Sequence, residues 1–126
     1  MTAVVLIVDD DETLRLVLSK QLKRLGYAAR LAANCIEATK AAFEHDFAVI
    51  LMDVQMPCMD WLEAGAAIRR KELEINRKRT PIIAVTANPD RERCFRAGMD
   101  DFLFKPVLLS DLQKILDRWS AERISK

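Results

Sequence analysis

The sequence predicts an α/β fold in which five parallel strands form a doubly wound sheet with helices on both faces. Short apolar runs alternate five times with longer segments of helical periodicity. Runs such as Val4–Val8 and Ile82–Val85 are apolar without interruption, as strands buried on both faces require. The connections are long enough for parallel pairing, and right-handed crossovers then put helices on both sides of the sheet.

Val4-Val5-Leu6-Ile7-Val8 is the first strand. Asp11 is placed as an N-cap, Leu14, Val17, Leu18, Leu22 and Leu25 recur at helical spacing, and Gly26 stops that helix. Ala28 to Leu31 is a weak second strand. Asn34 with Glu37 three residues later resembles a capping box and opens a helix to about His45, itself a solvated helix-end residue. Phe47 to Met52 is the third strand, ending at Asp53, and a helix follows from about Asp60 to Arg70. Lys71 to Thr80 reads as a charged helix extension plus loop. Ile82 to Val85 is the fourth strand, ending at Thr86. Asn88-Pro89 reads as an N-cap followed by proline at the first helical position, with that helix ending near Gly98. Phe102-Leu103-Phe104 is the fifth strand, ending at Lys105-Pro106. Ser110 is placed as the cap of a last helix with Leu112, Ile115, Leu116 and Trp119 on one face.

The 126 residues make one domain by length, and they are 51% hydrophobic with a formal net charge of +1. That balance excludes a disordered chain and gives no global field for nucleic acid. No apolar run approaches the roughly 20 residues of a membrane span, and MTAVVLIVDD lacks the basic leader of a signal peptide. Cys35, Cys58 and Cys94 have no C-x-x-C spacing and read as free thiols in a reducing cytoplasm. The basic clusters Arg69-Arg70-Lys71 and Arg77-Lys78-Arg79 read as solvated surface.

In such a sheet the ligand crevice lies beyond the carboxyl ends of the strands. There the sequence puts Asp9, Asp10 and Asp11 after strand one, Asp53 after strand three, Thr86 after strand four and Lys105 after strand five. Each has an ordinary role as turn former, cap or surface residue; their joint placement on one edge is what points to chemistry. Two carboxylates about 5 Å apart repel by roughly 3 kcal/mol at an effective dielectric of ~20, so converging acids need cations. A hard divalent ion such as Mg²⁺ suits an all-oxygen site, and Lys105 adds a fixed positive charge. Cation, lysine and hydroxyl together match the needs of a transferring phosphoryl group, with a carboxylate as nucleophile.

The segments LIVDDDETLR, ILMDVQMPCMD, PIIAVTAN and GMDDFLFKPV resemble the receiver domains of two-component response regulators, in order and over nearly the whole chain. The resemblance implies one receiver domain over residues 1–126 with a flavodoxin-like (βα)5 sandwich in strand order 2-1-3-4-5. It implies Asp53 as phosphoacceptor, Asp9 and Asp10 as the acidic pair that holds Mg²⁺ (or Mn²⁺), and the backbone carbonyl of Gln55 as a further ligand. Thr86 then resembles the switch hydroxyl, Phe102 the switch aromatic, and Lys105 the lysine that contacts the phosphoryl group, with a cis bond to Pro106. It further implies a histidine kinase or histidine phosphotransfer domain as phosphodonor and a downstream partner on the face of the fourth helix, fifth strand and fifth helix. Membrane and direct nucleic-acid contact are not expected. Such a domain is no conventional enzyme: it catalyses its own phosphorylation and loses the group slowly. GMDD, TAN and the charged insert before Thr80-Pro81 lean toward receivers of hybrid sensor kinases.

The chain departs from many receivers at Trp61, where they have glycine, and at Phe102, where tyrosine would add a hydroxyl. Small residues at Ala64 and Gly65 leave room for the Trp61 ring, which otherwise lies on the surface. Two alternatives stand beside this reading. Asp9-x-Asp11-x-Thr13 fits the nucleophile motif of haloacid-dehalogenase-type phosphohydrolases, with Thr86, Lys105 and the pair Asp100-Asp101 as its other parts. In that family, however, the lysine precedes the acidic pair, and Asp53 would have no role. A phosphate-independent interaction module would have lost an acid or the lysine, and all are kept here.

Overall fold

The structure, a computed structural model, describes residues 3–54, 61–87 and 90–124, without the side chains of Trp61, Leu62, Arg91 and residues 120–124. The strands are β1 (Val4–Val8), β2 (Ala28–Ala32), β3 (Val49–Asp53), β4 (Ile82–Thr86) and β5 (Asp101–Phe104). The helices are α1 (Glu12–Arg24), α2 (Cys35–Glu44), α3 (Trp61–Glu74), α4 (Arg91–Arg96) and α5 (Leu109–Ile124). All strand pairs are parallel, and their order is β2-β1-β3-β4-β5, as expected.

Successive strand residues point to opposite faces, so each strand feeds two cores. Leu6, Val8, Ile50, Met52, Ile82, Ala84 and Phe102 pack with Ala38 and Ala42 of α2, Ala64 and Ile68 of α3 and Cys94 of α4. Val5, Ile7, Val49, Leu51, Ile83, Val85 and Leu103 pack with Leu18 and Leu22 of α1 and Leu112 and Leu116 of α5. The uninterrupted apolar runs follow directly from this double burial. β2, at the edge, is the exception: Ala28, Arg30 and Leu31 are exposed, which explains its weak pattern.

The predicted caps divide. Asp11 accepts from the Thr13 and Leu14 amides, and Asn34 from the Glu37 amide. The Glu37 carboxylate reaches back to Ala33 N–H at 2.8 Å, one residue outside the standard capping box. α4, by contrast, is capped by Asp90, whose carboxylate accepts from Arg93 N–H at 3.1 Å; Asn88 and Pro89 lie outside the described residues. A carboxylate at a helix N-terminus satisfies an orphan donor and also meets the positive end of the dipole. Ser110 is not a cap either. Leu112 N–H already donates to Leu108 O, so the helix starts before Ser110, which lies exposed in its first turn.

The basic clusters are corrected in part: Arg70, Lys78 and Arg79 are exposed as expected, but Arg69 and Arg77 turn inward. Arg69 of α3 donates to Gly98 O, Thr80 O, Glu72 and Asp100, all within 2.9 Å. Asp100 also accepts from Arg79 and from Ile82 N–H, while Glu72 takes Thr80 N–H. This network closes the sheet end where β4 and β5 begin. Arg77 reaches the carbonyls of Ala42, Phe43 and His45, the orphan acceptors at the end of α2. Arg69 and Arg77 therefore hold structure rather than face solvent, because each finds backbone acceptors that water would otherwise have to serve, whereas Arg79 bonds Asp100 from an exposed position.

Candidate functional site

The opposite end of the sheet carries the predicted residues. Val8 pairs with Met52, so Asp9 and Asp53 each stand one residue past a paired position on neighbouring central strands. Asp53 pairs with Val85, which brings Thr86 one residue beyond it on β4. Thr86 pairs with Phe104, and Lys105 N–H donates to Thr86 O at 3.0 Å, so β5 delivers Lys105 to the same edge. The Lys105-Pro106 bond is cis, as expected.

Side-chain geometry completes the convergence. Carboxylate oxygens of Asp9, Asp10 and Asp53 lie within 4.8 Å of one another. Asp9 and Asp53 are buried and Asp10 is exposed, so the cluster is open to solvent on one side. Lys105 Nζ lies 3.1 Å from Asp53 Oδ1. Thr86 is fully buried. Phe102 is buried against α4, its ring 5.2 Å from that of Phe95 in an edge-to-face contact. Gln55 and the remainder of segment 55–60 lie outside the described residues, as does the Trp61 side chain. The room expected beside Gly65 is taken: a Cβ there would strike the Ala97 carbonyl, so the missing side chain serves the approach of α4's end to α3.

Burial pushes the Asp9 carboxyl up to about 6. The Asp11 amide opposes that rise, the Asp53 charge adds to it, Lys105 lowers it and Asp10 adds again. Asp9 Oδ1 accepts from Asp11 N–H at 2.8 Å, whereas the buried Oδ2 has no hydrogen-bond partner among the described residues. A buried carboxylate oxygen without a donor costs about 1–3 kcal/mol or more. The Asp9 carboxylate thus keeps a buried oxygen with no donor on it among the described residues and clusters with two further carboxylates, and an all-oxygen donor set of this kind fits a hard divalent cation.

The acidic pair of the phosphohydrolase alternative lies elsewhere. Asp100 is held by Arg69 and Arg79 at the far end of the sheet, and Asp101 accepts from Trp119 Nε1 and Arg118. Neither joins Asp9, and the order of motifs has its spatial counterpart here. Sequence reasoning did not find Arg15, whose guanidinium donates to Asp9 O at 2.7 Å; a backbone acceptor leaves no residue-type signal. Cys35 and Cys94 form no disulfide among the described residues, and Cys58 lies outside them. No helix among the described residues is long and apolar enough to cross a membrane.

A family model described as the response regulator receiver domain matches residues 5–117. The chain is 39% identical over 115 residues to the hybrid signal transduction protein dokA of Dictyostelium discoideum, covering 91% of this chain and 7% of that protein. It is 35% identical over 125 residues to the sensor histidine kinase RcsC of Escherichia coli K12, covering 97% of this chain and 12% of that one. The chain thus spans a small part of the curated relatives it matches. The crystal structure of the receiver domain of sensor histidine kinase PA1611 of Pseudomonas aeruginosa, with magnesium coordinated in its active-site cleft, superposes with a TM-score of 0.85 at 39% identity, covering 96% of this chain and 99% of that one. The co-crystal structure of the Saccharomyces cerevisiae phosphotransfer protein Ypd1 with the receiver domain of Ssk1 gives a TM-score of 0.86 at 29% identity, covering 97% of this chain and 91% of the matched chain.

Proposed function

The chain belongs to the response regulator receiver domain family, and from that premise we propose that residues 1–126 form one receiver domain that takes a phosphoryl group from phosphohistidine onto Asp53. The observation that carries the reading is the buried Asp53 carboxylate, 3.1 Å from Lys105 Nζ and clustered with Asp9 and Asp10.

An Asp53 oxygen attacks phosphorus in line. The new O–P bond forms as the P–N bond of the phosphohistidine breaks, and that bond's electron pair leaves on the imidazole nitrogen. Approach of a dianionic phosphoryl group to a buried carboxylate is opposed by their like charges. Lys105 is placed to offset this, its ammonium already on the nucleophile and close to where the phosphoryl oxygens arrive. Asp9, Asp10 and Asp53, with the backbone carbonyl of Gln55, are the proposed ligands of Mg²⁺ or Mn²⁺. When bound, the ion supplies neutralisation of the phosphoryl charge. Thr86 is the proposed hydroxyl that turns toward the acquired group. Ala84 of β4 pairs with Phe102, and both side chains face the α4 side, as does Thr86 two residues on. Movement of Thr86 therefore opens space on the side where Phe102 packs against Phe95.

Phosphorylation is a two-state bias and acts only through differential binding of the phosphoryl group to the two states. The proposed readout is the face of α4, β5 and α5, where Phe95 and Phe104 are about half exposed, 53% and 47%. The proposed donor is a histidine kinase or histidine phosphotransfer domain, as the hybrid kinases and the Ypd1 complex among the similar proteins suggest. The proposed compartment is the cytoplasm.

The test is transfer from a phosphorylated histidine phosphotransfer protein, and from acetyl phosphate, to the wild type and Asp53→Asn. Label in the wild type with Mg²⁺ and none in Asp53→Asn is expected. Undiminished labelling of Asp53→Asn removes the assignment, and labelling abolished only by Asp9→Asn favours the phosphohydrolase reading. Thr86→Ala is expected to accept phosphate but to lose phosphorylation-dependent partner binding.

A further inference from the structure

Asp9 is fixed at every polar atom but one. Its N–H donates to Ala32 O of β2 at 3.1 Å. Its Oδ1 accepts from Asp11 N–H at 2.8 Å. Its carbonyl accepts from Arg15 Nη1 at 2.7 Å. The remaining atom, Oδ2, is buried with no hydrogen-bond partner among the described residues, on the carboxylate that joins the acid cluster. Arg15 is itself fixed, since its N–H donates to Asp11 O at 3.0 Å and so belongs to the first turn of α1. The guanidinium thus folds back six residues and ties the start of the helix to the end of β1.

We propose that Arg15 is a positioning residue of the phosphoryl-transfer site: by holding the Asp9 carbonyl it sets the Asp9–Asp10 peptide plane, and with it the direction of both carboxylates. This rests on the phosphoacceptor reading. The physical basis is the rigidity of that plane. A planar peptide anchored at its oxygen cannot rotate without breaking the bond, so the side chains on either side of it lose the freedom to swing away from each other. Three acids that repel one another have every reason to do so. Arg15 suits the task because its planar fork keeps the donor in a fixed direction, which a lysine stem does not.

A positioning role and a bare charge effect have opposite signs. Arg15 carries a positive charge near a cation site, so on charge alone its removal tightens Mg²⁺. As a positioning residue its removal weakens Mg²⁺.

The experiment uses the full chain as wild type, Arg15→Met, Arg15→Gln and Arg15→Lys. Mg²⁺ alone is titrated calorimetrically at fixed ionic strength, and exchange of the Asp11 amide is followed without metal. Arg15→Met is expected to raise the Mg²⁺ Kd by about tenfold, the scale of lost outer contacts around a metal ligand. It should also speed Asp11 exchange, with partial recovery of both in Arg15→Lys. Arg15→Gln carries the same expectation should Arg15→Met fail to fold. An unchanged or tighter Kd in the neutral variants, or weaker binding in Arg15→Lys than in Arg15→Met, overturns the proposal. Failure of wild type to bind Mg²⁺ would instead count against the phosphoacceptor reading, and unaltered Asp11 exchange in the metal-free variants would then overturn the positioning role on its own.

Discussion

The Lys105 ammonium sits 3.1 Å from Asp53 Oδ1, with the aspartate 4% and the lysine 23% exposed. The pair joins β5 to β3 across the intervening β4, so it closes the functional edge of the sheet as well as serving it. Its loss leaves a buried carboxylate without its cation, and it also removes a charge that holds the Asp9 carboxyl down.

Lys105→Met should therefore act on chemistry and stability together. Phosphate uptake from acetyl phosphate should fall by about a hundredfold, the scale of one lost charge-stabilising donor in a transition state. Stability should fall by about 1–2 kcal/mol, because the lysine's residual exposure leaves part of the pair screened. Single-turnover labelling and denaturant midpoints check the two. Wild-type labelling in Lys105→Met would deny the lysine its role.

Asp9 gives a pH dependence with a definite sign. Its carboxyl titrates near 3.8 when unfolded and near 6 in the metal-free fold. The native state thus holds its proton more tightly, and stability falls as pH rises from about 4 through 6. The full penalty above that window is on the order of 3 kcal/mol. Metal-free protein should be more stable at pH 5 than at pH 7.5, and Asp9→Asn should flatten the difference. Mg²⁺ should raise the melting temperature more at pH 7.5 than at pH 5, through preferential binding to the native state. A metal-free wild type whose denaturant midpoint rises between pH 5 and 7.5 contradicts the raised Asp9.

Most of the fold and the outline of the site are legible in the sequence, for one reason: burial of the sheet on both faces forces continuous apolar runs, and the residue ending each run must sit at the functional edge. Asp9, Asp53, Thr86 and Lys105 were readable in this way. What stayed hidden depends on pairings across long separations or on backbone acceptors. Arg69 meets Asp100 across 31 residues, and nothing in Arg69-Arg70-Lys71 distinguishes the arginine that folds inward from its exposed neighbour Arg70. Arg15 is addressed to a carbonyl, which every residue carries. The sequence reading puts the start of α4 at Asn88-Pro89 instead of Asp90, because residue type alone does not separate two good cap formers and the Asp90 to Arg93 bond does.

Asp100 yields a prediction at the other end of the sheet. Its carboxylate takes Arg69, Arg79 and the Ile82 amide, with Arg69 13% and Asp100 11% exposed. Asp100→Ala takes one of the two carboxylates from Arg69, which keeps Glu72, and leaves the Ile82 N–H without its acceptor, and should cost about 2–3 kcal/mol. Phosphate uptake per folded molecule should be unchanged, since Asp100 is at the end of the sheet away from Asp53. Urea titration with labelling at equal folded fraction reads both quantities. A neutral substitution would mean that water replaces the carboxylate at no cost.

Gly65 sets two magnitudes against each other. On an α3 interior position, alanine should gain about 1 kcal/mol from helix propensity. Against it stands the Ala97 carbonyl, which occupies the place of the added Cβ. Ala97 is the C-cap of α4, its own N–H bonded to Arg93 and Cys94 carbonyls, so it cannot turn aside without unwinding that helix end. Next to it, Gly98 O is pinned by Arg69 and Arg79. Both sides of the contact are therefore backbone held by other bonds, and overpacking of this kind costs about 1–3 kcal/mol. The clash should win: Gly65→Ala should lower stability by about 1–2 kcal/mol, with the displacement falling on α4 and shifting the amide resonances of Cys94 to Gly98. Because α4 carries Phe95, the partner of Phe102, the substitution should also alter phosphorylation-linked shifts on that face while leaving the Mg²⁺ Kd within about twofold. A Gly65→Ala protein as stable as wild type, with unmoved α4 resonances, would show that α3 and α4 can separate freely at this contact.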